Sequence, residues 1–224
     1  MLEVQGRKIP ETLEEVISTN HTIVAIHDMQ KYFCNPNESG PTYTPGPNPA
    51  TQEEATKNIV RLREAARSVG VRVLYTYSTN HRLSTWKSST DYELYREREL
   101  IRKTGKLKEN MSKLGEVGMG IIDELKPEPG EIILEKPHTD AFLGTDYHNM
   151  LRTLGIRTII ECGRSIEIGL EPTARTGTLR GYLMVVVKDC IMGRNVEYIK
   201  DSMRWFERSV ILCGVADITK AWKS

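Results

Sequence analysis

The chain has 224 residues, with 31 Lys and Arg against 30 Asp and Glu and a formal net charge of +1. That length suits one sizeable α/β domain rather than two, and so balanced a charge gives no electrostatic ground for binding nucleic acid or an anionic membrane. The longest apolar runs reach about six residues, far short of a membrane span, and the opening MLEVQGRKIPETLEEV lacks a secretory apolar core, which makes the cytoplasm the expected location.

In chain order, TIVAIH (22–27) is the first strand-like run, followed by CNPNESGPTYTPGPNPA (34–50), a loop rich in Pro, Gly and Asn. Thr51 and Glu54 form a capping box ahead of Ala55, Ile59, Leu62, Ala66 and Val69 at helical spacing, and Gly70 stops that helix. VRVLYTY (71–77) is a second strand. The polar, mid-basic stretch 81–118 then interrupts the alternation and reads as a lid-like insertion. EIILE (131–135) follows, then a helix over DYHNMLRTL with Thr145 as its cap and Gly155 as its end. RTIIEC (157–162) leads into a helix expected to begin near Gly169 and run to Gly181. YLMVVVK (182–188), the helix VEYIKDSMRWFE with Val196, Ile199, Met203 and Phe206 on one side, and SVILC (209–213) complete the set.

Most of these strands are near-continuously apolar and β-branched, the pattern of strands buried on both faces of a parallel sheet. The β-α-β order predicts a doubly wound, six-stranded parallel sheet in a three-layer α/β/α fold of Rossmann-like type, one domain over 1–224. Cys34, Cys162, Cys190 and Cys213 make no CxxC pair and match no zinc spacing, so free thiols are expected.

Ligands of open parallel sheets bind beyond the carboxyl ends of the strands. Those ends offer Asp28 after the first strand, Lys136 after the third, and a helix N-terminus near Gly169 after the fourth. An acid, a cation and amides that favour negative charge form a hydrolytic constellation.

AIHDMQKYF (25–33), KPHTDAFLGTDYHNMLRTLGI (136–156) and ECGRSIEIGLEPTARTGTLRGYLMVVVKD (161–189) resemble three successive motifs of the isochorismatase-like hydrolase superfamily, which also contains many cysteine amidohydrolases. The resemblance implies that fold, an acid/base role for Asp28 and a catalytic role for Lys136. It places Gly169 where the cysteine hydrolases carry their nucleophile and where isochorismatases proper carry Gly. Acid-assisted attack by water is then expected in place of a thioester. The resemblance further implies a cis peptide near Arg164-Ser165-Ile166 and a homodimer or homotetramer. TNHRLSTW lacks the zinc pattern of the superfamily's nicotinamidases, since no Asp stands two residues before His81; no metal and no cofactor are expected.

Around these three residues, Phe33, His138, Arg164, Ser165, Ile166 and Glu167 are the expected substrate contacts. Arg164 suits a carboxylate held bidentately and Glu167 a water or an amine, although the two can equally pair with each other. Asp28 can serve as an acid on the substrate or as a base on water. Cys34 is a weaker candidate for a relocated thiol, and Cys162 reads as packing. The expected function is hydrolysis of a small carboxylate- or carbonyl-bearing molecule without a cysteine. The alternatives are a Cys-independent amidohydrolase and an inactive family member serving as a binding or assembly module.

Overall fold

The computed structural model describes residues 1–39, 41–46, 50–78, 95, 98–99, 101–103, 105 and 120–223. The expected lid-like stretch 81–118, with His81, Trp86 and Tyr92, lies almost wholly outside the described residues, as does part of the loop 34–50.

Eight strands are present among the described residues. β1 (Leu2–Val4) and β2 (Arg7–Ile9) form an antiparallel hairpin that the sequence reading missed. Gln5 and Gly6 both have positive φ, at 48° and 72°. Such angles suit a tight two-residue hairpin turn. Leu2, Val4 and Ile9 are exposed, so no burial pattern announced these strands.

The remaining strands are the six expected ones: β3 (Thr22–His27), β4 (Arg72–Ser78), β5 (Ile132–Lys136), β6 (Thr158–Arg164), β7 (Leu183–Met192) and β8 (Ile211–Cys213). They form one sheet in the order β5-β4-β3-β6-β7-β8, with every neighbouring pair parallel. The order reverses between β3 and β6, which opens a crevice at their carboxyl ends. Gly163 permits that junction: its φ is +107°, and a Cβ there would fall 2.3 Å from the carbonyl oxygen of His27.

Helices cover both faces. α1 (Gln52–Ser68) packs Ala55, Ile59, Leu62 and Ala66 against Val24, Ile26, Ile160 and Val185, and α5 (Val215–Ala221) joins the same face. α2 (Tyr147–Thr153), α3 (Glu171–Leu179) and α4 (Val196–Ser209) cover the other face, where Tyr147, Leu151, Ala174 and Phe206 meet Ile23, Ala25, Leu74 and Val186. Each fully buried Ile or Leu in these two cores contributes about 1.5–3 kcal/mol relative to exposure.

The Thr51–Glu54 capping box forms as predicted, but the cap position of α2 falls on Asp146 and not on Thr145, which accepts from the Tyr147 amide at 3.2 Å from one residue further out. On α4, Ile199 and Phe206 are buried as expected, but Val196 is exposed. The helix expected from Gly169 instead opens with a π-helical turn, Ile166–Leu170, that passes into α3. No helix among the described residues is long and apolar enough to cross a membrane.

Candidate functional site

Asp28 stands one residue beyond β3, with a φ of 48°. Its amide donates to the backbone oxygen of Thr76 at 3.3 Å and to Thr76 Oγ1 at 3.2 Å, which fixes the turn to the end of β4. Gln30 strengthens the same joint: its side-chain amide and carbonyl bond reciprocally to the Ser78 backbone at 3.2 and 2.9 Å.

Lys136 ends β5 and is only 1% exposed. Its Nζ lies 2.7 Å from Asp28 Oδ2 and donates to the carbonyls of His138 at 3.3 Å and Thr139 at 3.2 Å. Thr76 Oγ1 donates to Asp28 Oδ1 at 2.9 Å. A buried ammonium is tolerated only when paired and hydrogen-bonded, and these three acceptors meet that need. The carboxyl of Asp28 is thus gripped from both sides by donors, the setting of an anionic carboxylate.

Gly169 faces this pair. A Cβ built on it would lie 3.6 Å from Asp28 Oδ2, 3.7 Å from the Thr139 oxygen and 3.8 Å from the Arg164 oxygen, all ordinary contact distances. The structure thereby brings Asp28, Lys136 and Gly169 together, as the strand ends implied. The anion cradle expected at Gly169 is not available, however. The amides of Ile168, Gly169 and Leu170 all point at the Ser165 carbonyl, at 3.2, 2.8 and 3.2 Å. The π turn spends those donors internally. The Arg164–Ser165 peptide is cis, within the stretch where the family resemblance implied one.

The expected contacts divide. Ile166 is fully buried in the core beneath α2 and α3, so it supports the turn instead of lining a pocket. His138 is exposed; its carbonyl, not its ring, serves Lys136. Ser165 acts through its carbonyl. Arg164 is fully buried on the α1 side, with Nη1 donating to Thr42 Oγ1 and Gln52 Oε1, both at 3.1 Å. Among the described residues its Nε and Nη2 have no hydrogen-bond partner, and burial pushes the guanidinium below its ordinary range. Glu167 Oε1 accepts from the Arg194 amide at 2.8 Å, not from Arg164, while Oε2 is buried and has no partner among the described residues. Phe33 places its ring 5.7 Å from the Arg194 guanidinium.

The thiols are poor nucleophiles. Burial pushes Cys34 up to about 11 against the opposing pull of Arg164, and burial also raises Cys162 strongly. A groove of about 780 Å³ between the Lys31–Cys34 turn, α1 and Ile122–Glu124 is lined by Cys34 and Gln52 but by neither Asp28 nor Lys136.

Thr76 is the residue that sequence reading missed. Its signal was a polar side chain near the end of an otherwise apolar strand, and only its pairing with His27 across β3 and β4 brings it to Asp28.

Comparison with known proteins sets this geometry in context. Residues 22–216 match the isochorismatase domain family model. The ureidoacrylate amidohydrolase RutB of Azorhizobium caulinodans is 26% identical over 194 residues, covering 85% of this chain and 84% of the relative. That of Agrobacterium fabrum is 24% identical over 204 residues, covering 90% and 87%. Among solved structures, a cysteine hydrolase from Pseudomonas syringae pv. phaseolicola superposes with a TM-score of 0.73 at 21% identity, covering 93% of this chain and 95% of the other. The N-carbamoylsarcosine amidase of Thermoplasma acidophilum gives 0.60 at 23% identity, covering 87% and 96%.

Proposed function

The chain belongs to the isochorismatase family of hydrolases, and from that premise we propose that it hydrolyses a small carbonyl-bearing acid at Asp28, by direct attack of water and without a covalent intermediate. The observation that carries this reading is the donor grip on Asp28 beside a side-chain-free Gly169. Oδ2 meets Lys136 Nζ at 2.7 Å, and a Cβ at position 169 would lie only 3.6 Å from the same oxygen. A carboxylate so held is an acceptor, which favours the role of base over that of acid. It takes a proton from water as the water oxygen bonds to the carbonyl carbon. It then returns that proton to the leaving nitrogen or oxygen as the old bond breaks. Positioned acid/base catalysis of this kind supplies about 10²–10⁴-fold. Lys136 stays charged and offsets the negative charge that passes through the site.

Arg164, with two donors unpaired among the described residues, is our choice for the substrate's carboxylate, with Phe33 and Glu167 as further contacts. The relatives' names favour a C–N bond in a ureido acid over a vinyl ether as the bond broken.

A mass-spectrometric screen of ureido, carbamoyl, amide and vinyl-ether acids tests this. Asp28→Asn is expected to lose at least about 100-fold in kcat/KM, with ureido acids releasing ammonia in the wild type. Iodoacetamide is expected to leave turnover intact; inactivation through Cys34 alone would replace this mechanism with a thiol one. Tight binding without turnover across the panel would instead favour a binding module.

A further inference from the structure

Behind Asp28, on the α2–α3 face of the sheet, lies a buried polar group that the reaction above does not use. Glu161 sits in the middle of β6 and His27 at the end of β3; both side chains are completely buried, with His27 Nε2 3.3 Å from Glu161 Oε1. Among the described residues neither His27 Nε2 nor either Glu161 oxygen has any other hydrogen-bond partner. The titratable groups facing Glu161 are His27 from β3, Tyr147 from α2 and Asp140 from the turn after β5. The Tyr147 hydroxyl is buried and has no partner among the described residues either. An isolated carboxylate in such a place is very costly, so the carboxyl holds or shares a proton. Burial accordingly raises Glu161, against the opposing contact with His27.

Hydrogen counting at Thr76 decides the rest. Thr76 Oγ1 lies 2.9 Å from Asp28 Oδ1, 3.2 Å from the Asp28 amide and 3.4 Å from His27 Nδ1. A hydroxyl has one proton and two lone pairs. The carboxylate can only accept, so the proton goes to Oδ1. The Asp28 amide can only donate and takes one lone pair. His27 Nδ1 is left with the other, and must carry a hydrogen to use it. With the Glu161 carboxyl holding its proton the ring is neutral, so Nε2 then presents a lone pair toward Glu161.

We propose that Glu161 and His27 form a buried positioning dyad: the Glu161 carboxyl proton is held against His27 Nε2, His27 Nδ1–H points at Thr76, and the Thr76 hydroxyl proton is thereby locked onto Asp28 Oδ1. Neither residue touches substrate. They act through Thr76 to hold Asp28 with its other oxygen on Lys136. The proposal rests on Asp28 being the reacting carboxylate for its functional meaning, but its geometry stands without any reaction.

Long-range proton–nitrogen correlation spectra of the labelled full chain, without substrate, test it. The His27 ring is assigned by its absence in His27→Asn. In the wild type we expect Nδ1 protonated and Nε2 imine-like, with a slowly exchanging Thr76 hydroxyl proton. Glu161→Gln keeps a donor at this position and should preserve both signatures. Glu161→Met keeps the bulk but not the donor; it should mix the two ring tautomers and speed hydroxyl exchange by about tenfold. An Nε2–H tautomer in the wild type overturns the dyad. So does a folded Glu161→Met protein with unchanged ring and hydroxyl signals, or a Glu161→Gln protein disturbed as much as Glu161→Met. If Glu161→Met does not fold, the wild-type tautomer alone decides. Failure of the substrate screen leaves these spectra untouched, so the two readings fail separately.

Discussion

Gly169 leaves the Asp28 carboxyl beside a bare backbone, yet nothing around it requires glycine. Its φ lies outside the left-handed region, and an added Cβ meets only contacts of 3.6 Å or more. Gly169→Cys is therefore expected to fold with a stability change within about 1 kcal/mol, checked by its thermal midpoint. Its thiol would sit against Asp28, the base that thiol chemistry needs. Gly163→Ala is the opposite case, since its Cβ would strike the His27 backbone at 2.3 Å in a left-handed conformation. It should cost at least about 2–3 kcal/mol and distort the turn that carries Asp28. For Cys34, a value raised to about 11 leaves roughly one thiolate in ten thousand near neutral pH. Alkylation of the folded protein should be slow there and accelerate as pH climbs toward that value. Fast labelling near neutrality, followed by mass spectrometry, would contradict the raised value of this thiol.

At the scale of elements, one ionic clamp joins α1, β4 and the approach to β5. Arg67 holds Glu131 through two bonds of 2.9 Å, while the Tyr75 hydroxyl and the Glu128 amide reach Glu131 Oε2 at 3.0 and 2.8 Å. Burial opposes ionisation of Glu131, but these donors outweigh it and hold the carboxyl below its ordinary value. A lowered folded-state value means stability that is present above the unfolded carboxyl's range and lost as pH falls through the folded one. Glu131→Gln should therefore cost about 1–2 kcal/mol near neutrality, with the gap to wild type closing in acid; urea unfolding at several pH values measures this. The clamp pins the start of the strand that ends at Lys136, so it also helps to place that side chain. The elements themselves were legible where burial was two-sided. The six central strands read as apolar runs because both faces of the sheet are covered. The N-terminal hairpin left no such trace, because Leu2, Val4 and Ile9 stay exposed. Nor did the π turn, whose amides turn inward to Ser165 through backbone geometry that side chains do not announce.

For the whole molecule, the reversal of strand order between β3 and β6 brings residues 28, 136 and 169 to one rim. Leu143, Leu179 and Tyr198 leave large apolar side chains exposed, Leu179 at 88%. This is consistent with the oligomer we propose, a homodimer or homotetramer. Light scattering should then give a mass two or four times the 25.5 kDa of the chain, and a monomer at working concentration would contradict it. The sequence by itself determined the layered fold, the candidate acid and lysine at strand ends and the free thiols, because these follow from local periodicity and residue chemistry. Only the tertiary structure decided that Lys136 closes on Asp28 and that Ile166 belongs to the core. It also decided that Arg164 turns toward α1 and that Thr76, His27 and Glu161 line up behind the carboxylate. Those facts depend on which strands lie side by side and in what register, and contacts between residues dozens of positions apart carry no local sequence pattern.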